Sequence, residues 1–213
     1  MDTDAALADR LAKDLEASFG DLVDQHRDRL YTIALRLLGD RRDAEEVAQD
    51  ALVRAFRAMQ GYGHDRIATL RLRPWLASIT VNLARNRRRR ADDRQPPSQL
   101  DPMIHAGFDL AHDPGAGPEH QARRRETQRE LAIALLRLTP STRAAIVLRH
   151  VDGLSVAETA EALGRPEGTI KAQVHRGLRE LRVALEADAA TRARSTPIKT
   201  HAGRLLPALE AIR

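Results

Sequence analysis

Two groups of basic side chains stand out by type and spacing. Lys171, His175, Arg176, Arg179 and Arg182 lie opposite Ile170, Val174, Leu178, Leu181 and Leu185, which recur at helical spacings of 4, 4, 3 and 4. Long donors in a row on an exposed helix can enter a DNA major groove about 12 Å wide and reach base edges. The second group is Arg87 to Arg90, preceded by Asn82, Arg85 and Asn86. Arginine pairs bidentately with phosphate oxygens, and asparagine can read base edges. The plainer reading of the arginine run is compensation of a helix C-terminus plus solubility. Other chemistries find no support. With no Cys there is no thiol nucleophile, disulfide framework or cysteine-based metal site. The 8 His and 30 acidic residues form no H-E-x-x-H spacing, and no phosphate-binding loop is present.

Helices must position both groups. Ser155 predicts an N-cap, Glu158 completes a capping box, and Ala157, Ala160 and Leu163 give a small apolar face. Gly164 suits a left-handed C-cap, Arg165-Pro166 a turn, and the next helix starts at Glu167 to Ile170. A short capped helix, a Gly turn and a second helix with early basic residues is the pattern of a helix-turn-helix. An ordinary helical hairpin with a polar outside is the alternative. Upstream, Leu30, Ile33, Ala34, Leu37 and Leu38 mark one helix, ended by Gly39-Asp40. Val47, Ala51, Leu52, Ala55, Phe56 and Met59 mark another, whose first turns hold Asp43, Glu45 and Glu46. Its acidic side is either a solvated surface or a docking face. A third helix is predicted to start at Pro74, with Trp75, Leu76, Ile79 and Leu83 as its apolar face.

The net charge of +5 conceals a division. It is −4 over residues 1–60, +6 over 61–95, −4 over 96–120 and +7 over 121–213. Gln95 to His120 carries five Pro, three Gly and no Lys or Arg, and reads as a linker. The expected fold is all-α: two small helical domains, at 5–91 and 123–188, joined by a flexible linker at 92–122 and followed by a tail at 189–213. Leu7, Leu11 and Leu15 suggest a helix before the first domain's main elements. Leu205, Leu209 and Ile212 could make one apolar turn in a tail otherwise read as disordered, a partner-binding role being the other reading. No apolar run reaches the length of a membrane span, and the acidic N-terminus is unlike a signal peptide. The expectation is a cytoplasmic protein without membrane insertion.

The residues LYTIALRLLGDRRDAEEVAQDALVRAF with RPWLASITVNLARNRRRR, and LRLTPSTRAAIVLRHVDGLSVAETAEALGRPEGTIKAQVHRGLREL, carry a family resemblance. The chain resembles bacterial sigma factors of the extracytoplasmic-function type, in the sigma-70 family. The first segment looks like region 2 and the second like region 4. The resemblance implies a non-enzymatic protein that binds core RNA polymerase through its β′ and β subunits and directs it to promoter DNA. It implies no catalytic residue, metal or cofactor, and control by an anti-sigma factor.

Carried over by position, Asp43, Glu46, Gln49, Asp50 and Phe56 face polymerase, with Asp50 standing where Glu is common. Tyr62, His64, Asn82, Arg85, Asn86, Arg88 and Arg89 face the −10 element, where the loop from Gly61 to Arg73 would hold an unstacked base. Trp75 is read as mainly core. Thr169, Lys171, Ala172, His175, Arg176 and Arg179 face the −35 element, His175 being a less common donor there. Two other classes compete: a DNA-binding regulator acting without polymerase, and a small helical enzyme. The acidic helix beside the arginine-rich one speaks against the first, and the missing catalytic motifs against the second.

Overall fold

A computed structural model describes residues 3–94 and 118–195, and every regular element among them is helical. The first unit comprises α1 (Thr3–Lys13), α2 (Leu15–Leu38), α3 (Arg41–Gln60), α4 (His64–Ala68) and α5 (Leu72–Arg94). The second comprises α6 (Pro118–Arg137), α7 (Pro140–Ile146), a π-helical turn (Val147–Val151), α8 (Val156–Leu163) and α9 (Glu167–Ser195). Residues 95–117 of the expected linker and 196–213 of the expected tail, with Leu205, Leu209 and Ile212, lie outside the described residues. The flanking helices α5, α6 and α9 extend into the stretches assigned to linker and tail by composition.

Local chemistry accounts for most boundaries. Asp14 caps α2 by accepting from the Ala17 amide at 3.0 Å, so Leu15 belongs to α2 and not to the helix of Leu7 and Leu11. Gly39 ends α2 at φ +80°, and Asp40 caps α3 by accepting from the Asp43 amide. Ser155 and Glu158 form the expected reciprocal capping box, and Gly164 closes α8 at φ +61°. Two expectations need correction. Helix α5 begins at Leu72, placing Pro74 third in the helix; first-turn amides lack intrahelical acceptors, so Pro is tolerated there too. In α8, Ala157 is exposed while Thr159, Ala160 and Ala162 are buried. That helix is wedged between α5 and α9, so its buried side is set by two partners instead of one stripe.

The two units share a continuous apolar core. Leu30, Ile33, Leu37, Leu76 and Val81 of the first belong to the same cluster as Ala144, Val147, Leu148, Leu154 and Ala162 of the second. Leu135, Leu138, Ile146 and Leu181 form a smaller core inside the second unit. Close contacts reinforce the junction. A Cβ on Gly39 would lie 2.5 Å from a Leu136 methyl, so glycine there serves both its left-handed backbone and the approach of α6.

Arg143, 1% exposed, joins three segments through backbone carbonyls. It donates to Leu135 O at 2.8 Å, Leu136 O at 2.5 Å, Leu138 O at 3.0 Å and, across the junction, Leu37 O at 2.7 Å. Burial, with a smaller effect from Arg88, lowers its pKa to about 10, so it remains charged at neutral pH. These carbonyls, near helix C-termini, supply the negative dipole ends that a buried cation requires.

Candidate nucleic-acid interface

The row on α9 is built from opposite sides of one helix. Ile170 (0% exposed) and Leu181 (2%) anchor the inner side, with Val174, Leu178 and Leu185 half-buried. Thr169, Lys171, Ala172, His175, Arg176, Arg179 and Arg182 are all exposed. Lys171 lies 3.8 Å from Glu167 one turn earlier, a surface pair that leaves its ammonium free to exchange partners. Gly177 lets α9 lie against α7: a Cβ there would come within 2.5 Å of both Ile146 and Thr142 side chains. Periodicity missed this glycine because glycine carries no hydropathy signal. On the far side, Arg137 of α6 holds Asp188 at 3.0 Å.

Asn82, Arg85, Asn86 and Arg89 on α5 are exposed, and Arg88 is half-buried. Arg87 turns elsewhere. It donates to Asp43 at 2.6 Å and pairs with Glu46 at 2.7 Å, and the hydrogen bond to Asp43 is the largest cause of its raised pKa. The acidic start of α3 and the arginine run of α5 therefore touch each other, which the net charges of separate segments could not reveal. Gln49 and Asp50 remain exposed on α3. Phe56 is half-buried, edge-on to Phe19 with ring centroids 4.8 Å apart.

Between α3 and α5, Tyr62 is half-buried and His64 exposed. The Arg66 guanidinium sits 3.6 Å from the Tyr62 ring centroid, and Trp75 is 6.2 Å away, tilted and half-buried. Three further arginines meet the second unit here: Arg29, to which the sequence assigns no role, and Arg71 and Arg73, which it places only at the end of the Gly61 to Arg73 loop. Arg29 donates to both carboxylate oxygens of Asp152, at 2.5 and 2.6 Å. Arg71 pairs with Glu158 at 3.0 Å and Glu161 at 2.8 Å. Arg73 donates to the Asp152 carbonyl at 2.5 Å. These partners lie 79 to 123 positions apart, beyond any local pattern.

Comparison with known proteins bears on both groups. The family model "Sigma-70 region 2" matches residues 22–94, and "Sigma-70, region 4" matches residues 128–181. The ECF RNA polymerase sigma factor SigW of Bacillus subtilis is 32% identical over 175 residues, covering 79% of this chain and 89% of that protein. The chain belongs to the ECF sigma factors of the sigma-70 family. ECF sigma factor SigE of Mycolicibacterium smegmatis is 35% identical over 78% of this chain, which spans 60% of that longer protein. Among solved structures, CnrH in complex with the cytosolic domain of CnrY is similar, with a TM-score of 0.63 and 26% identity over 88% of this chain and 99% of that one. In this ECF sigma factor the region 4 helix-turn-helix is α8 to α9, and α2 to α5 form region 2. No helix among the described residues is long and apolar enough to cross a membrane.

Proposed function

We propose that this chain is an alternative sigma factor that binds core RNA polymerase, reads −35 and −10 promoter elements, helps melt the −10 region and is controlled by an anti-sigma protein. The exposed row Thr169, Lys171, Ala172, His175, Arg176 and Arg179, backed by buried Ile170 and Leu181, carries the reading. That helix can lie in a major groove while α8 braces it. Asn82, Arg85, Asn86, Arg88 and Arg89 serve phosphate and base contact beside the −10 loop, with Tyr62 and His64 in the loop itself. Asp43, Glu46, Gln49, Asp50 and Phe56 form the polymerase-docking face. Asp43 and Glu46 are already neutralised in part by Arg87, so exposed Gln49 and Asp50 carry the specific contacts. Control by an anti-sigma protein is supported by the similar fold of the sigma factor RpoE of Bartonella quintana, which was solved in complex with the anti-sigma factor NepR.

The protein itself makes and breaks no covalent bond. It supplies binding energy that separates promoter from bulk DNA, and it works in the cytoplasm, where polymerase acts. Melting costs a few kcal/mol of unstacking, offset by capture of a base. Tyr62 offers a ring whose face holds Arg66, so a base gains stacking only by displacing that cation. Reconstitution with core polymerase tests the function: specific run-off transcription from a cognate promoter is expected, and tight promoter binding without polymerase association would instead indicate a free-standing regulator. Promoter melting that tolerated most −10 substitutions would contradict the role assigned to the loop.

A further inference from the structure

Helix α1 lies ahead of the stretch matched to region 2, and none of its residues belongs to the DNA-facing or polymerase-facing sets. It is nevertheless built firmly into the first unit. It folds back along α2, with Arg10 on Asp21 at 2.9 Å and Gln25 donating to Asp4 at 2.6 Å. Leu7, Ala8 and Leu11 are fully buried.

The loop between α3 and α5 depends on that buried side. Its helix α4 packs more extensively against α1 than against any other helix. With five residues, α4 is too short to hold itself helical in water. Its N-cap, Gly63, offers no side chain to the first amides, and those of Arg66 and Ile67 close on the Gly63 carbonyl at 3.1 and 3.2 Å. Between Gly61 and Arg71, Ile67 alone is buried, in the same apolar cluster as Leu7, Ala8 and Leu11. The neighbouring Arg66 is exposed and lies over the Tyr62 ring at 3.6 Å, so the seat of Ile67 also sets where that cation stands on the ring.

We propose that α1 is the positioning element of the −10 loop: Leu7 and Leu11 seat Ile67, and that seat fixes Tyr62, His64 and Arg66 for base capture and −10 discrimination. The inference rests on the function proposed above for this loop. In this role α1 itself touches no DNA. A loop free to shift accommodates a wrong base, whereas a seated loop meets it with unpaired groups. Loosening α4 therefore lowers discrimination between −10 sequences, and leaves the −35 helix and the docking face of α3 as they were.

Hydrogen exchange on the full chain tests the seat directly. The Ile67, Thr69 and Leu70 amides, each bonded to a loop carbonyl, should exchange no more slowly than those of α1, since α4 loses its order once α1 opens. In Leu7→Ala they should exchange about fivefold faster or more, with α9 unchanged. Run-off transcription with core polymerase tests the consequence. The ratio of transcript from a cognate promoter to that from one altered at −10 should fall about fivefold or more in Leu7→Ala, while the ratio for −35 changes and the affinity for core polymerase stay within about twofold. Ile67→Ala should act alike from the loop side, and the Leu7→Ala/Ile67→Ala protein should lose no more than the worse single variant. Leu35→Ala removes as much from another buried site, on α2, and should leave the −10 ratio at the parent value, which general loosening of the core would not do.

An unchanged −10 ratio in Leu7→Ala overturns the proposal. So does slower exchange in α4 than in α1, or a double variant whose loss is the product of the two single losses. If far-UV circular dichroism shows that Leu7→Ala does not fold, Leu7→Val, a smaller loss, takes its place with the same expected signs. If the parent shows no −10 discrimination while the amides respond as expected, the role assigned to the loop fails and the seating of α4 by α1 stands.

Discussion

At the scale of single residues, two buried cationic or ionisable groups test the packing. Arg143 has four backbone carbonyls as acceptors, three at the end of α6 and one at the end of α2. Arg143→Met fills similar space but leaves those carbonyls without their donor. It should cost about 3–5 kcal/mol, read by urea unfolding of the full chain. His26 is 2% exposed and 3.7 Å from Asp4. Burial is the main cause of its lowered pKa; Asp4 and Asp152 pull it up, and Arg29 and Arg73 push it down. The neutral ring is thus the form the fold prefers. Below its ordinary value of 6.5 the unfolded chain takes up a proton that the folded chain resists, so stability falls as pH drops through that window. His26→Leu should flatten the pH dependence of the thermal midpoint between about pH 5 and 7. A slope unchanged by the substitution would show that other groups cause it.

At the scale of elements, α9 sets its exposed basic row opposite its packed apolar side. Lys171→Ala or Arg176→Ala should cost about 1–3 kcal/mol at particular −35 positions, measured by promoter competition at fixed salt. A loss equal across all sequences would assign those side chains to phosphate contact. Gly177→Ala should cost about 1–3 kcal/mol in stability, because the new methyl group meets Ile146 and Thr142 on α7. On α3, Asp50→Lys should weaken core polymerase binding in a pulldown while far-UV circular dichroism stays the same, since Asp50 is exposed on its helix. Normal polymerase binding by that protein would remove α3 from the docking face.

At the scale of the whole molecule, the shared core predicts cooperative unfolding of the closed chain. Trp75, the one tryptophan, reports region 2, whereas circular dichroism reports every helix. The two signals should give coincident thermal midpoints in the parent. In the Asp152→Asn/Glu161→Gln protein they should separate by a few degrees, as the units melt more independently. Separate midpoints already in the parent would show that the contacts between Leu30, Ile33, Val147 and Leu148 contribute little to joint stability.

Much was legible in order along the chain, for a local reason. Caps act within one turn, so Ser155, Glu158, Gly164 and Gly39 announced their roles by type and spacing. The basic row of α9 followed from a 3.6-residue period, and its exposure follows from the burial of Ile170 and Leu181 behind it. Pro74 and Ala157 were misplaced because a first-turn proline does not fix a helix start, and a short helix between two neighbours has no single buried stripe. Nothing local marked Gly177, Arg143, Arg29 or Asp152. Their partners are distant in sequence, and their value lies in space, dipoles or charges supplied by another element. The sequence by itself determined two helical units, their charges and the exposed basic row of α9, because period and capping are short-range. Only the tertiary structure decided that Arg87 quenches the acid of α3 and that Asp152, Glu158 and Glu161 meet Arg29, Arg71 and Arg73, because Coulomb attraction and burial act between groups that folding alone brings together.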